Sequence, residues 1–240
     1  MFLKIYNFAF MKNSNTINRV ALAIEAIKKY IAGVVFVGAL LFLSAGSLFY
    51  IEAWLLMALL FIPMLVLGII MLVYSPQLLQ QRLSAKEKRE PQKLVTLLTS
   101  MMFVAGFVVA GLDYRFSLTQ MPSWLIVVAS IMFLLSYLLY AEVVRENQWL
   151  SRTIDVKDNQ KVVKDGLYSI VRHPMYTATI VMFISIPLLL GSLWALPLFL
   201  VYLPIIVVRI KDEEKLLRET LDGYNDYCAQ VRWRLIPFIW

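Results

Sequence analysis

The sequence predicts an all-α integral membrane protein, with about six transmembrane helices and a C-terminal cytosolic amphipathic helix. Three observations lead there. The 240-residue chain is 60% hydrophobic and only 16% charged, with a mean hydropathy of +0.72, whereas soluble domains carry roughly 25% charged residues. Its apolar residues gather in runs near the about 20 residues that a bilayer span needs. Its basic residues are confined almost entirely to alternate loops.

Residues 1–30 are read as an N-terminal cytosolic segment. The run Phe8-Ala9-Phe10-Met11 is too short for a signal peptide, and no small-residue cleavage site follows it. Met11 is an alternative start, and Val20 to Lys29 is expected as a short surface helix. Spans are expected over 31–50, 53–74, 94–112 and 123–141, a four-helix region covering 31–141. These spans are aliphatic and generic. The stretch 175–208 lacks charge and is broken at Gly191-Ser192 into two arms, each with a proline, Pro187 and Pro197. Each arm has about 16 residues, or about 24 Å of helix, short of the roughly 30 Å hydrocarbon core. The arms are therefore thin, kinked helices or a re-entrant hairpin.

Charge tests the count of spans. Every Lys and Arg except Arg115 falls in the N-terminal segment, in 75–93, in 142–173 or in the tail after 208. Cytosolic loops accumulate Lys and Arg, so both termini are expected in the cytosol of a multi-pass protein. The same rule accounts for the net charge of +7 without a nucleic-acid partner. A single cysteine, Cys228, excludes an internal disulfide. No metal site and no obligate protein partner are expected.

The polar residues worth a site lie in the last 90 or so positions. Pro174 suits the first turn of a helix, which puts the chain's one histidine, His173, at the N-cap. Read alone, His173 is an interfacial capping residue, although a helix N-terminus also offers free N–H groups to an anion. After the hairpin come Arg209 and Glu213, spaced i, i+4 on one helix face. Read alone they are an ordinary solvated pair. Because the hairpin goes up and comes back, His173 and Arg209 are expected at the same membrane face. Tyr224 and Tyr227 follow at i, i+3, and the end of the chain, with Arg232, Trp233 and Trp240, reads as an interfacial anchor.

Gly166-Leu167-Tyr168, Arg172-His173-Pro174-x-Tyr176, Arg209-x-x-x-Glu213-Glu214, Gly223-Tyr224-x-x-Tyr227 and Arg234-Leu235-Ile236-Pro237 together resemble the isoprenylcysteine carboxyl methyltransferase family, its bacterial members most. The resemblance covers 150–240 and makes 142–240 the methyltransferase region. It implies S-adenosylmethionine as cofactor, bound at the cytosolic face by Gln160, Lys161, Val162, Val163, Tyr168, His173, Pro174, Met175, Tyr176 and Glu213. It implies that Arg209 holds the substrate carboxylate and that Arg209 and Glu213 are the catalytic pair. The partners implied are a prenylated or lipid-like small substrate and membrane lipid, and the location implied is a bacterial inner membrane. The chain departs from the family pattern at Ala178, where a glycine is usual, at Thr220-Leu221, which replace a Phe-Gly, and near Thr153.

Methyl transfer from a sulfonium to a carboxylate neutralises charge, so a water-poor site favours it. It needs alignment rather than a base. An amine acceptor would need a deprotonating group, with His173, Glu213, Glu214 and the tyrosines as candidates. Three rival readings remain: a phospholipid N-methyltransferase, an NADPH-dependent membrane reductase of the sterol-reductase type, and a transporter or scaffold subunit. The reductase would want basic residues on cofactor phosphates, a role open to Lys157, Lys161 and Lys164. A transporter would show charges or broken helices in both halves.

Overall fold

The structure is a computed structural model describing residues 18–83, 90–147, 149–150 and 160–240, with the side chains of residues 90 and 91 left aside. Lys4, Lys12, Lys86, Lys88, Arg89, Arg152, Thr153 and Lys157 lie outside the described residues. Asn18 starts α1 (Arg19–Ala45), its Oδ1 accepting from the N–H groups of Val20 and Ala21 at 3.1 Å. Nothing in 20–29 interrupts the helix, so the separate surface helix expected there is instead the first part of α1. Gly46, at φ 64°, ends it. Then follow α2 (Ile51–Tyr74), the short α3 (Pro76–Leu83), α4 (Glu90–Phe116) and α5 (Ser123–Glu146).

By length and composition α1, α2, α4 and α5 can each cross a membrane. Much of their apolar surface faces outward, including Ile62, Leu65, Val66, Val127 and Leu138. That is how lipid-facing helices suit the solvent around them, since backbone polar groups along the middle of a helix are bonded within it.

The last third of the chain is a broken hairpin. Helix α6 (Pro174–Leu189) has 16 residues, so it rises about 24 Å, less than a full hydrocarbon core, and it packs along α5. The chain reverses at Gly191, whose φ of 70° suits a residue without Cβ. It returns through α7 (Leu196–Leu200) and α8 (Tyr202–Thr220). The polar segment after residue 208 continues the returning arm, because α8 carries straight through to Thr220. Arg209, Asp212, Glu213 and Glu214 are therefore rigidly continuous with the returning arm. Among the described residues, four of the about six expected helices are long and apolar enough to cross a membrane, and the other two are the arms of this shorter hairpin. Helix α9 (Tyr224–Gln230) and the tail 231–240 then fold back onto the start of α6.

The reversal is pinned to the first four helices. Asp113 on α4 is buried and accepts from Ser192 Oγ at 2.5 Å, Thr119 Oγ1 at 2.8 Å and Thr119 N at 2.8 Å. Tyr50 donates to the Leu190 carbonyl at 2.6 Å. Buried polar groups persist only when bonded in this way.

Candidate functional site

At the opposite end from Gly191, residues just after α5, the segment 160–173 and helices α6, α8 and α9 line a pocket of about 850 Å³, counting its open mouth. Its wall includes Gln160, Lys161, Val162, Val163, Tyr168, His173, Met175, Tyr176, Arg209 and Glu213. The structure thus brings the sequence-predicted residues together, with one exception. Pro174 is buried at the first turn of α6 and is absent from the pocket wall. Its fixed φ opens the helix.

The turn Gly166–Ser169 positions Tyr168. Glu146, the last residue of α5, accepts from Leu167 N at 2.9 Å. Gly166 has φ 61°, which favours a residue without Cβ, and a Cβ there would push the Glu146 carboxylate aside. Tyr168 then accepts from Asn147 Nδ2 at its hydroxyl, 2.9 Å, while its carbonyl accepts from the Tyr227 hydroxyl at 2.7 Å. Burial pushes the Tyr168 and Tyr227 hydroxyls well above the ordinary tyrosine pKa, so both stay neutral.

Arg209 and Glu213 meet through a third residue. Arg209 Nε donates to the Tyr176 hydroxyl at 2.9 Å, and that hydroxyl donates to Glu213 Oε2 at 2.5 Å. The helix spacing puts the pair on one face of α8, and Tyr176, from the first turn of α6, bridges them. The Arg209 guanidinium carbon lies 5.9 Å from the Tyr176 ring centre, within cation–π range.

Behind this wall, Glu214 is the hub that holds the site's elements together. It is 3% exposed. Its Oε1 accepts from Arg172 Nε at 2.7 Å and lies 3.2 Å from His173 Nε2, while Oε2 accepts from Arg234 Nε at 3.0 Å. Burial pushes the Glu214 pKa up, but the hydrogen bonds from His173 and Arg172 outweigh it and hold it down at about 2. Arg172 also donates to the carbonyls of Val231 and Arg232, at 2.7 and 3.0 Å. The backbone N–H groups of Arg172 and His173 donate to the Trp233 and Arg234 carbonyls, both at 2.9 Å. His173 therefore has two faces. Its ring stacks on Tyr176, 5.6 Å between centres, and contributes to the pocket, while Nε2 turns to Glu214.

Sequence reasoning underrated Glu214 and Arg172. The signal was present, since Arg172 sits inside the quoted Arg-His-Pro cluster and Glu214 follows Glu213. Their pairing across 42 positions is not visible in a linear chain. The first four helices read as generic from sequence. Gln92 on α4 is fully buried and contacts Arg209, so one of them reaches the site directly.

Four helices long and apolar enough to cross a membrane define the chain as a helical integral membrane protein. Residues 124–219 match the model of the isoprenylcysteine carboxyl methyltransferase family. This part of the chain is therefore similar to that family. It is also 29% identical over 91 residues to a Delta(14)-sterol reductase of Mus musculus, an alignment covering 37% of this chain and 22% of the reductase. The matched part thus spans about a fifth of that relative's length.

Proposed function

We propose that the chain is an S-adenosylmethionine-dependent methyltransferase acting on the carboxylate of an isoprenylcysteine or a similar lipid-like acceptor. The observation that carries this reading is the Arg209–Tyr176–Glu213 bridge inside the pocket. It sets a carboxylate-holding cation beside an anion suited to a cationic cofactor.

The residues fit that cofactor. The pocket pairs apolar wall, from Val162, Val163 and Met175, with aromatic rings and one carboxylate. The cofactor supplies a methyl group activated on a sulfonium. The chain does the rest. Gln160, Lys161, Val162, Val163, Tyr168, His173, Met175 and Tyr176 bind and orient, and Glu213 sets negative charge on the cofactor side. Arg209 presents its planar fork to the acceptor carboxylate. A carboxylate is ionised at neutral pH, with an ordinary pKa near 4, so alignment in a water-poor pocket suffices.

Orientation follows the charge split. Arg115, the one basic residue outside the four basic segments, lies beside Gly46 at the end away from the pocket. This supports a multi-pass protein with both termini and the pocket in the cytosol.

The sterol-reductase relative favours a second reading, an NADPH-dependent membrane reductase. Titration calorimetry on the purified protein in detergent separates the two. We expect S-adenosylhomocysteine to bind and NADPH not to bind. NADPH binding without S-adenosylhomocysteine binding would replace the methyltransferase with the reductase. Methylation of phosphatidylethanolamine, with none of a prenylcysteine, would move the acceptor to an amine.

A further inference from the structure

Gln92 is a polar side chain that the first turn of α4 buries completely, a placement that costs stability unless both ends of the amide are bonded. Both ends are, and to the same helix. Gln92 Oε1 accepts from Arg209 Nη1 at 3.1 Å, and Nε2 donates to Asp212 Oδ2 at 2.6 Å. Arginine can only donate and an ionised aspartate can only accept, so one orientation of the amide satisfies the pair and its flip satisfies neither. Arg209 is thereby held at two separate nitrogens, Nε on Tyr176 and Nη1 on Gln92. Two points on a planar group fix its orientation about the axis that remains.

We propose that Gln92 is a positioning residue for Arg209, setting the guanidinium plane so that an acceptor carboxylate meets it in line with the methyl group. The inference rests on the function proposed above and deepens it, because it makes α4, outside the family match, part of the acceptor geometry. Helices α4 and α8 pack against each other, so a shift of either would reach the acceptor through Gln92.

The test uses the purified full chain in nanodiscs, with a prenylcysteine as acceptor. Gln92→Leu keeps the volume and removes both bonds. We expect kcat/KM for the acceptor to fall about 10- to 100-fold, as for a misplaced positioning group, with S-adenosylhomocysteine affinity and thermal midpoint near wild type. Gln92→Glu sets a carboxylate against Asp212 and is expected to lose activity similarly. Adding Asp212→Asn to it restores the donor–acceptor order at unchanged net charge. The new carboxylate at position 92 then accepts from Arg209 and from the new amide at position 212. That double variant is expected to return kcat/KM to within about threefold of wild type, a coupling that a double-mutant cycle reads. Wild-type kcat/KM in Gln92→Leu overturns the inference, as does a parallel loss of S-adenosylhomocysteine affinity, which would mark general loosening. No rescue in the double variant also counts against it. If the wild-type chain binds no S-adenosylhomocysteine and methylates nothing, the functional reading itself fails and the role of Gln92 falls with it.

Discussion

At Tyr176 one hydroxyl accepts from Arg209 and donates to Glu213. Tyr176→Phe removes both bonds and little volume. Each is a charge-assisted bond of about 1.5–3 kcal/mol, so methyl transfer to a prenylcysteine should drop at least tenfold while the protein stays folded by circular dichroism. Arg209→Ala and Glu213→Ala should each reduce transfer roughly 100-fold or more, the scale for removing a preorganised charged contact. Full activity in both would move the active site elsewhere. Glu214 makes a different prediction, because it holds structure rather than ligand. Its folded pKa of about 2 lies below its ordinary 4.5, so the ionised form is favoured by folding. Its contribution, roughly 3 kcal/mol by linkage, is present above pH 4.5 and lost as pH falls from about 4.5 through about 2. Thermal midpoint against pH should show that acid loss in the wild type and a shallower one in Glu214→Gln. At neutral pH the same variant should lose roughly 3–5 kcal/mol, the cost of leaving Arg172 and its companions buried without their anion.

Among the elements, the turn at Gly166 and the length of α8 matter most to the site. Gly166→Ala forces a Cβ into the Glu146 carboxylate at a positive φ. It should displace Tyr168 and weaken S-adenosylhomocysteine binding by calorimetry, with the midpoint lowered by no more than a few degrees, since the change is local to one turn. Binding at wild-type affinity would mean that the turn does not set the pocket. The glycine was legible in the sequence as a motif member, but its partner was not. Glu146 stands well before it in the chain and reads as the polar margin of a span. Helix α8 was legible only in halves. Charge begins at Arg209, so composition breaks there, whereas backbone hydrogen bonding ignores composition and runs to Thr220. The expected surface helix before residue 30 failed for the same reason, absorbed by α1.

For the whole molecule, orientation is the prediction. In a Cys228→Ser background, Lys164→Cys and Gln120→Cys put single thiols at exposed positions beside the pocket and at the far end. A membrane-impermeant maleimide added to intact cells should label the second and leave the first until the cells are opened. The reverse pattern would invert the topology. Hydropathy and the distribution of Lys and Arg, which act position by position along the chain, were enough to determine membrane insertion, the long helices and the expected side for the charges. Spaced motifs determined which residues to watch near one face. Tertiary structure alone decided how they pair. The cations on Glu214 come from two separate segments, around Arg172 and around Arg234. Arg209 and Glu213 meet through Tyr176, and Gln92 arrives from α4. Such contacts depend on where folded helices bring distant atoms, which local propensity and periodicity do not encode.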